Sequence, residues 1–310
     1  MTILIITSSD DGTADQIINL FNSKKYFRWN IDLWQSYDLT WGNSIKISDP
    51  VGRSIDLLND NFIALWRKPS FSNMNFGGLD LTKDDEDFVI QEYSECLMSI
   101  TSLLINKKRF RLVDPVGEKK LPKLYQGYLA KTFFDTPKSY FSVRLTDNDL
   151  PNEVVTKAQG FPMTNGGNVL FTTRVNQSDL FRPYPWFIQE PIIGGLDITC
   201  VHILGSNHFF ACGFKRNHID IDWRTEINSG AQSKWIKFTH PLIKIWSENV
   251  NHFMKKVSLH FGRLDFIFKE ETLFFLECNP NGQFGWLDDD NLSLHREFFL
   301  AMLDSTSVIA

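Results

Sequence analysis

Three oxygen-bearing side chains lie near the ends of two aromatic-rich stretches late in the sequence: Asp265, Glu277 and Asn279. If residues 270–272 form a three-residue hairpin loop, Asp265 lies directly opposite Glu277. Because side chains alternate along a strand, Asn279 then projects on the same face as Glu277. Two close carboxylates repel each other unless a cation or a proton intervenes, and oxygen ligands suit Mg²⁺ or Mn²⁺ better than zinc. The spacing predicts a divalent metal site, with a surface hairpin of solvated acids as the alternative.

A lysine and a glycine-rich segment lie about 100 residues before these acids. Lys157 belongs to a strand-like stretch that runs into a loop containing Gly160, Gly166 and Gly167, after which strand-like residues return. Flexible backbone amides beside a lysine can bind phosphate oxygens, and protein-bound Mg²⁺ usually keeps phosphates as partners. Lysine, loop and metal site together indicate a nucleotide-binding protein, although an exposed strand-end lysine is the simpler interpretation of Lys157 alone.

Length and charge restrict the classes of protein to which the chain can belong. At 310 residues the chain exceeds the usual size of one core, which predicts two or three packed units. A formal net charge of −5 and a pI near 5.8 disfavour nucleic acid as a partner. The longest apolar runs, such as 3–6 and 273–276, are too short to span a membrane, and the N-terminus lacks a signal-peptide pattern. We therefore expect a cytoplasmic protein.

The cysteines and histidines show no metal-ligand or redox spacing. Cys96, Cys200, Cys212 and Cys278 are scattered without a C-x-x-C pair, which predicts four reduced, mostly buried thiols. The seven histidines likewise have no spacing typical of a metal site.

The first third of the sequence predicts a small α/β domain over residues 1–112. It opens with a buried strand, a polar turn and an amphipathic helix, and strand-like stretches follow at 29–34, 44–48 and 62–66. A long apolar stripe at three- and four-residue steps predicts a core-facing helix over 84–106. The first turn lacks the G-x-G-x-x-G dinucleotide fingerprint.

The remaining chain is predicted to form a central segment, 113–185, and a C-terminal segment, 186–310. The central segment contains a helix that stops near residues 135–137 and the hairpin that carries Lys157. The C-terminal segment alternates strand-like stretches before a helix over 241–260, the acidic hairpin and a last helix over 292–303.

The chain contains, in order, Lys123, Lys157 with its glycine-rich loop, Gln189, Glu190, Pro191, Asp197, Arg224, Asp265, Glu277 and Asn279. This order resembles the ATP-grasp fold, and most closely the branch that contains the ribosomal-protein glutamate ligase and the graspetide ligases, or microviridin-type peptide cyclases. The shorter motifs Trp66-Arg67-Lys68-Pro69, Asp222-Trp223-Arg224 and NPNGQFGWLD at 279–288 are similar to the graspetide branch in particular. The resemblance covers nearly the whole chain. It implies an α/β (α+β) ATP-grasp fold that follows an N-terminal pre-ATP-grasp domain.

The resemblance also implies a role for each matching residue, with ATP and Mg²⁺ as cofactors. Lys123 and Lys157 would contact phosphates, and Gln189, Glu190 and Pro191 would form the edge beside the adenine. Asp197 would lie near the nucleotide, and Arg224 would face a phosphate or the substrate carboxylate. The ligands of Mg²⁺ (or Mn²⁺) would be Asp265, Glu277 and Asn279.

One position departs from the family pattern. Relatives commonly have a lysine shortly before Asp-Ile-Arg, whereas this chain has Gly194-Gly195 followed by Leu-Asp-Ile and Thr199. A threonine cannot supply a guanidinium, so the source of charge for the γ-phosphate or the substrate acid is open. Lys215 and Arg216 on the following strand are candidates for this catalytic role, and a plain solvated pair is the alternative.

ATP-grasp enzymes activate a carboxylate as an acyl phosphate that an amine or hydroxyl attacks, so they need no enzyme nucleophile. The resemblance implies a ligase that joins Asp or Glu side chains of a precursor peptide to Thr, Ser or Lys side chains. Its partners would be that peptide with its leader segment and, as in many family members, a second copy of the chain. One alternative is a ligase that adds a free amino acid to a carboxylate. The other is a nucleotide- or peptide-binding module without catalysis.

Overall fold

The structure of the chain is a computed structural model, and it describes residues 1–20, 25–71, 74–119, 121–143, 153–158, 172–175, 180, 185–205, 209–215, 235–289 and 291–304. The chain divides into two units. Unit 1 comprises Met1–Glu118, Leu259–Phe261 and Pro280–Ala310, and unit 2 comprises Lys119–Ser258 and Gly262–Asn279. This division differs from the three consecutive segments expected from the sequence, because the residues after Asn279 belong with the N-terminal residues. The boundary at 185/186 stays a prediction.

Unit 1 is built on a three-stranded parallel sheet. Strands β1 (Thr2–Thr7), β2 (Tyr26–Asn30) and β6 (Phe62–Trp66) lie in the order β2-β1-β6, and helix α1 (Gly12–Leu20) follows β1. Nearly every residue of β1 and β6 is buried, as expected for parallel strands covered on both faces. The predicted βα unit at the start of the chain is therefore present.

The strand predicted over 29–34 is shorter than expected. Strand β2 ends at Asn30, and a 3₁₀ helix over Ile31–Ser36 follows it. The apolar pattern misled because Asp32, within the 3₁₀ helix, is buried and accepts a 2.8 Å hydrogen bond from the backbone amide of Ser9. A small antiparallel sheet then forms from β3 (Asp38–Trp41), β4 (Ile45–Ser48) and β5 (Ser54–Asp56).

Helix α2 (Lys83–Asn106) begins with a capping box in which Thr82 and Asp85 exchange side chain-to-backbone hydrogen bonds. Its buried residues all lie in the C-terminal half: Leu97, Ile100, Thr101 and Leu104. Phe88, part of the predicted core stripe, is 63% exposed. The stripe is therefore fully buried only from Leu97 onward, although Tyr93 packs edge-on against the buried Trp29 and accepts its indole hydrogen bond at 3.1 Å.

The end of the chain completes unit 1. There, a 3₁₀ turn spans Gly285–Leu287, and the last helix, which is α6 in chain order, spans Ser293–Leu303 and contacts α1. Earlier in the chain, a short helix α3 spans Pro115–Lys119. Phe298 and Met302 of α6 are fully buried, which explains its apolar pattern.

Unit 2 begins with helix α4 (Lys123–Ala130), which ends earlier than predicted because the backbone amides of Phe133 and Phe134 both turn back to the Ala130 carbonyl. An antiparallel sheet follows in the order β7-β10-β8-β9. Its strands are β7 (Ser139–Ser142), β8 (Val155–Thr156), β9 (Thr173–Arg174) and β10 (Trp186–Gln189). Strands β8 and β9 pair as the two arms of the predicted hairpin. The glycines of its tip, Gly160, Gly166 and Gly167, lie outside the described residues.

The second sheet of unit 2 has the order β13-β12-β11-β14-β15 and carries the acidic hairpin. Its strands are β11 (Leu196–Ile203), β12 (Phe210–Phe214), β13 (Ile236–Lys237), β14 (Phe261–Lys269) and β15 (Thr272–Asn279). Helix α5 (Ile243–Lys256) precedes β14 and is shorter than the predicted 241–260. Phe253 of this helix packs against Phe275 of the hairpin, which in turn packs against Phe266, in an aromatic core. Among the described helices, none is long and apolar enough to cross a membrane.

Candidate active site

The acidic hairpin brings its two carboxylates together by a route that differs from the predicted one. Its loop has two residues, Glu270 and Glu271, both in the left-handed region with φ of 50° and 62°. The predicted three-residue loop is therefore wrong. Asp265 nevertheless lies opposite Glu277, because the register shifts just after Asp265 and leaves Leu276 as the extra residue of a β-bulge.

Of the three predicted metal ligands, Asn279 lies within hydrogen-bonding distance of both carboxylates. The Asn279 side-chain amide donates to Asp265 Oδ2 at 3.2 Å and to Glu277 Oε1 at 3.1 Å. Thr199 Oγ1 on the neighbouring strand β11 donates to Asp265 Oδ1 at 2.8 Å. Asp265 and Glu277 keep 20% and 23% of their side chains exposed. The cluster is thus half-buried but reachable from solvent.

Lys123, the first residue of α4, lies on the Glu277 side of the cluster. Its Nζ is 3.2 Å from Glu277 Oε2 and donates to the carbonyl oxygen of Ala158 at 2.8 Å. A cation at the N-terminus of a helix is disfavoured by the helix dipole. The carboxylate of Glu277 offsets that cost, and anionic phosphates would do the same.

Lys157 follows β8 directly and also approaches the hairpin. Its Nζ donates to the carbonyl oxygen of Leu276 at 3.4 Å and lies 5.4 Å from the centre of the Phe187 ring. Leu276 is the extra residue of the bulge, so the bulge places an acceptor for this lysine. Burial, with a smaller contribution from the charge of Lys123, lowers the pKa of Lys157 to about 8.

The two carboxylates have different electrostatic surroundings. Burial works to raise the pKa of Glu277, but the charges of Lys123 and Lys157 and the hydrogen bond from Asn279 outweigh it and lower this pKa to about 2. Burial, reinforced by the charge of Glu277, raises the pKa of Asp265 despite Arg263 and Thr199. A cation bound between them would favour ionisation of both.

The donor set fits Mg²⁺. Two carboxylates and one amide can supply oxygen ligands, and the Asn279 amide, whose nitrogen here donates to both carboxylates, would turn its oxygen towards a cation bound between them. No group of three or more His, Cys, Asp or Glu side chains suited to a metal occurs among the residues that the structure describes. An ion here would therefore need further oxygen ligands, as Mg²⁺ takes from nucleotide phosphates.

The predicted adenine edge lies at the end of β10. Gln189 is buried and donates from Nε2 to Ser139 Oγ at 2.8 Å, and the Glu190 backbone amide bonds to the Lys138 carbonyl at 2.9 Å. Pro191 follows in the segment that leads towards β11. The backbone of Lys157 is hydrogen-bonded to the same strand, β10, because its amide donates to the Phe187 carbonyl at 3.4 Å.

Asp197 and Thr199 share one face of β11, since they lie two positions apart on the strand. A Cβ on Gly195, just before β11, would clash with Ile267 Cγ2 and approach the Phe268 carbonyl oxygen to 3.1 Å. The glycine thus permits the close approach of β11 to β14 that brings Thr199 to Asp265.

Of the three side chains predicted to supply catalytic positive charge, the structure describes only Lys215. Lys215 is exposed and follows Phe214, which pairs with Asp197, but no contact joins it to the acidic cluster within the described residues. Arg216 and Arg224 lie outside the described residues.

Arg263 was missed by sequence reasoning. It pairs with Asn279 across the hairpin, and its Nη2 lies 3.2 Å from Asp265 Oδ2. The signal was present in the sequence, because residues two apart on a strand share a face. Gln126 of α4 was also missed: it is buried and accepts a hydrogen bond from the backbone amide of Cys278, between two of the ligands.

Unit 1 contains a separate buried polar cluster that joins two of the sequence motifs. Arg67 is fully buried, its Nη1 donates to Asn281 Oδ1 at 2.6 Å, and its Nε lies 3.4 Å from Asp11 Oδ2. The guanidinium also lies 5.8 Å from the centre of the Phe284 ring. The Trp-Arg-Lys-Pro motif and the NPNGQFGW motif therefore meet at this buried arginine.

Solved structures similar to this chain include enzymes of the ATP-grasp fold. The macrocyclase MdnC of Microcystis aeruginosa, bound with precursor peptide MdnA, has a TM-score of 0.79 at 21% identity, and the match covers 98% of this chain and 100% of that one. The RiPP-associated ATP-grasp ligase of Chryseobacterium gregarium, in complex with ADP and a leader and core peptide, has a TM-score of 0.77 at 21% identity, covering 97% and 95%.

A more distant neighbour, the D-alanine–D-alanine ligase of Bacillus anthracis complexed with ATP, has a TM-score of 0.56 at 13% identity and covers 99% of this chain and 97% of that one. No protein-family model matches the chain, and no curated protein matches its sequence. The structural matches confirm the predicted fold: the chain has the ATP-grasp fold over nearly its whole length.

Proposed function

We propose that this protein is an ATP-dependent carboxylate ligase that matures a peptide by joining its Asp or Glu side chains to Thr, Ser or Lys side chains. The observation that carries the proposal is the cluster in unit 2 in which Lys123 and Lys157 approach the hairpin that bears Asp265, Glu277 and Asn279. Cations for phosphates and oxygen ligands for Mg²⁺ thus occur together on an ATP-grasp fold.

ATP and Mg²⁺ are the implied cofactors, with Mn²⁺ as a substitute ion. Asp265, Glu277 and Asn279 would hold the metal, which supplies charge neutralisation for the phosphates. Lys123 and Lys157 would bind phosphate oxygens, while Gln189, Glu190 and Pro191 would line the adenine and Asp197 would lie near the nucleotide. Arg224, Lys215 and Arg216 stay candidates for contacts with the transferred phosphate or the substrate acid.

The reaction needs positioning and charge rather than an enzyme nucleophile. An oxygen of the peptide carboxylate attacks the γ-phosphorus, and ADP leaves. A hydroxyl or amine of the same peptide then attacks the acyl carbon, loses its proton, and inorganic phosphate departs. The net change is an ester or amide bond, with one ATP converted to ADP and phosphate and one water lost from the peptide.

The choice of a peptide as substrate rests on the neighbours. MdnC is bound with a precursor peptide, and the Chryseobacterium ligase with a leader and a core peptide. We accordingly propose a precursor peptide with a leader segment as the partner. From the family resemblance, and not from these neighbours, we further propose a homodimer as the assembly and the cytoplasm as the location.

The test is incubation of the protein with ATP, Mg²⁺ and a candidate precursor, a short acidic peptide that also contains Thr, Ser or Lys, followed by mass spectrometry and measurement of ADP. We expect the loss of one water mass per ADP formed. Glu277→Gln and Asp265→Asn should lower the rate by at least about 100-fold, because each removes a charge from the metal site. Glu153→Gln, at an exposed ion pair with Arg174, is the matched control and should retain the parent rate.

Other outcomes would identify the alternatives. A gain of one amino-acid residue mass would favour a ligase that adds a free amino acid. Binding of nucleotide and peptide without release of ADP would favour a module without catalysis. Ligation at the parent rate by Glu277→Gln would show that the metal assignment is wrong.

A further inference from the structure

The strand that bears two of the metal-ligand candidates has one edge towards helix α4. Strand β15 is the last in the order β13-β12-β11-β14-β15, so β14 pairs with only one of its edges. On the other edge, the backbone amide of Phe275 donates to the Asp135 carbonyl at 2.8 Å, and the backbone amide of Cys278 donates to Gln126 Oε1. The position of the ligands on β15 therefore depends on α4 and the residues that follow it.

Three consecutive residues of β15, 276–278, are each held by one side chain. Lys157 donates to the carbonyl of the first at 3.4 Å, Lys123 Nζ lies 3.2 Å from the carboxylate of the second, and Gln126 accepts from the amide of the third. The first two contacts come from lysines that the proposed function assigns to phosphates, and the third comes from a neutral amide. Bound phosphates would compete for the lysines but not for Gln126.

The side chain of Gln126 is fixed in an orientation that suits this contact. It is buried, its Nε2 donates to the Leu121 carbonyl at 3.1 Å, and its backbone amide donates to the Pro122 carbonyl at 3.0 Å. With its nitrogen engaged in this way, the side-chain amide turns its oxygen to the Cys278 amide. A buried backbone amide that lost this acceptor would be driven to shift towards another one.

The contact lies between two ligands whose geometry matters. Cys278 separates Glu277 from Asn279, so a movement of its peptide plane moves both side chains. Mg²⁺ requires nearly octahedral geometry with oxygen distances of about 2.0–2.1 Å. Groups that only orient the ligands of a metal change its affinity by about 10- to 100-fold when they are removed. Gln126 also lies three residues after Lys123, so the same face of α4 holds a phosphate contact and the ligand strand.

We propose that Gln126 is a positioning residue that holds the strand bearing Glu277 and Asn279 in place for Mg²⁺ while the two lysines bind the phosphates of ATP. This inference rests on the nucleotide and metal site of the proposed function and adds the residue that couples them. Gln126 acts through the backbone amide of Cys278 and touches neither the nucleotide nor the metal.

The test compares the affinity for ADP in Mg²⁺ with the affinity in EDTA, by calorimetric titration without peptide, so that no turnover occurs. The ratio of the two dissociation constants, the metal coupling, measures how well the ligands hold Mg²⁺ beside the nucleotide. Gln126→Met removes the acceptor at nearly constant volume, and we expect the metal coupling to fall by about 10-fold. The affinity in EDTA should stay within about 3-fold of the parent, whereas a merely structural defect would weaken both affinities together.

Two further substitutions separate the acceptor from the volume of the side chain. Gln126→Glu keeps an oxygen that can accept from the Cys278 amide, and its metal coupling should stay within about 3-fold of the parent. Gln126→Asn keeps the amide but is shorter by one methylene, so it should lower the metal coupling in the same direction as Gln126→Met. This shorter variant decides the test if Gln126→Met does not fold.

Lys123→Met and Tyr128→Ala are the matched controls on the same helix. Lys123→Met should weaken the binding of ADP in EDTA as well, because this lysine is assigned to the phosphates. Tyr128→Ala changes a residue that is 71% exposed and should alter neither affinity. A loss of metal coupling in Tyr128→Ala equal to that in Gln126→Met would show that any change in α4 suffices, and would overturn the assignment.

The outcomes distinguish this inference from the proposed function. If Mg²⁺ tightens the binding of ADP to the parent but Gln126→Met and Gln126→Asn keep the full metal coupling, Gln126 is not the positioning residue and the ligase stands. If these variants lose the coupling but the parent forms no bond in a candidate peptide, the proposed function fails and the inference stands. If the parent shows no metal coupling, the metal site itself is wrong and both fail.

Discussion

Glu277 and Asp265 lie directly opposite each other, yet their surroundings move their pKa values in opposite directions. Two lysine charges and the Asn279 amide keep Glu277 ionised although burial opposes this, whereas burial and the charge of Glu277 raise the pKa of Asp265. A cation bound between the two carboxylates would favour the ionised form of both, so its binding should release a proton wherever Asp265 is still protonated.

The site residues differ in how far the sequence predicts them. Asp265, Glu277 and Asn279 follow from strand alternation, and the structure brings them together. Arg263 obeys the same rule, because it lies two positions before Asp265 on the same strand. The contact of Thr199 with Asp265 depends on the order of strands in the sheet, which a single sequence does not reveal.

Lys157 should make ATP binding sensitive to pH. Its pKa is about 8 in the nucleotide-free protein, and the charged form binds phosphate. Affinity for ATP should therefore be full below pH 8 and fall as the pH rises above it, by up to about 10-fold per pH unit. Calorimetric titration between pH 7 and pH 9.5 would measure this dependence.

Lys157→Arg gives the decisive comparison, because a guanidinium stays charged throughout this range. The variant should lose the pH dependence, and Lys138→Arg, at an exposed ion pair with Glu190, should keep it. An unchanged dependence in Lys157→Arg would mean that another group titrates.

The bulge in the acidic hairpin shifts the pairing of its two strands by one residue from the register that the two-residue loop would otherwise set. Without the extra residue Leu276, the two-residue loop would pair Asp265 with residue 276 and move Glu277 to the other face. The bulge also presents the carbonyl that Lys157 contacts. The sequence predicted the pairing but not its cause, since bulges have no strong local signature at a Leu-Glu step.

The hairpin loop itself is strained. Glu270 and Glu271 both occupy the left-handed region, which residues with a Cβ adopt at a cost of about 1 kcal/mol or more. Replacing them with Asn-Gly, the preferred pair for this turn, should raise the free energy of unfolding by about 1 kcal/mol. Urea denaturation followed by circular dichroism would measure the change.

The matched control replaces both glutamates with alanine. It removes the same charges, and with them the contact of Glu271 with His240, but keeps the unfavourable backbone. This variant should show no gain, and equal stabilisation by Ala-Ala and Asn-Gly would mean that charge rather than turn geometry limits the parent.

After Asn279 the chain returns to the unit that contains its N-terminal residues. The last helix and the 3₁₀ turn before it contact helix α1, and the buried hydrogen bond from Arg67 to Asn281 joins positions 214 residues apart. The sequence correctly predicted the ATP-grasp fold from motifs spread along the chain. It did not predict this return, because contacts between distant segments leave no periodic pattern.

Asn281→Ala should destabilise unit 1 by about 1–3 kcal/mol, because the buried guanidinium of Arg67 would lose an acceptor. Gln16→Ala, at an exposed position of helix α1 in the same unit, should change stability by no more than about 0.5 kcal/mol. Urea denaturation compares the two variants. Equal stability would show that the bond to Arg67 contributes little.

Transfer of ¹⁸O from the peptide to phosphate tests most directly whether this fold activates a carboxylate with ATP. The acidic peptide would be labelled with ¹⁸O in its Asp and Glu carboxylates and incubated with the protein, ATP and Mg²⁺, and the phosphate would be analysed by ³¹P NMR. We predict one ¹⁸O atom in the released phosphate for each bond formed. Ligation with all of the label retained in the peptide or released as water would contradict activation through an acyl phosphate.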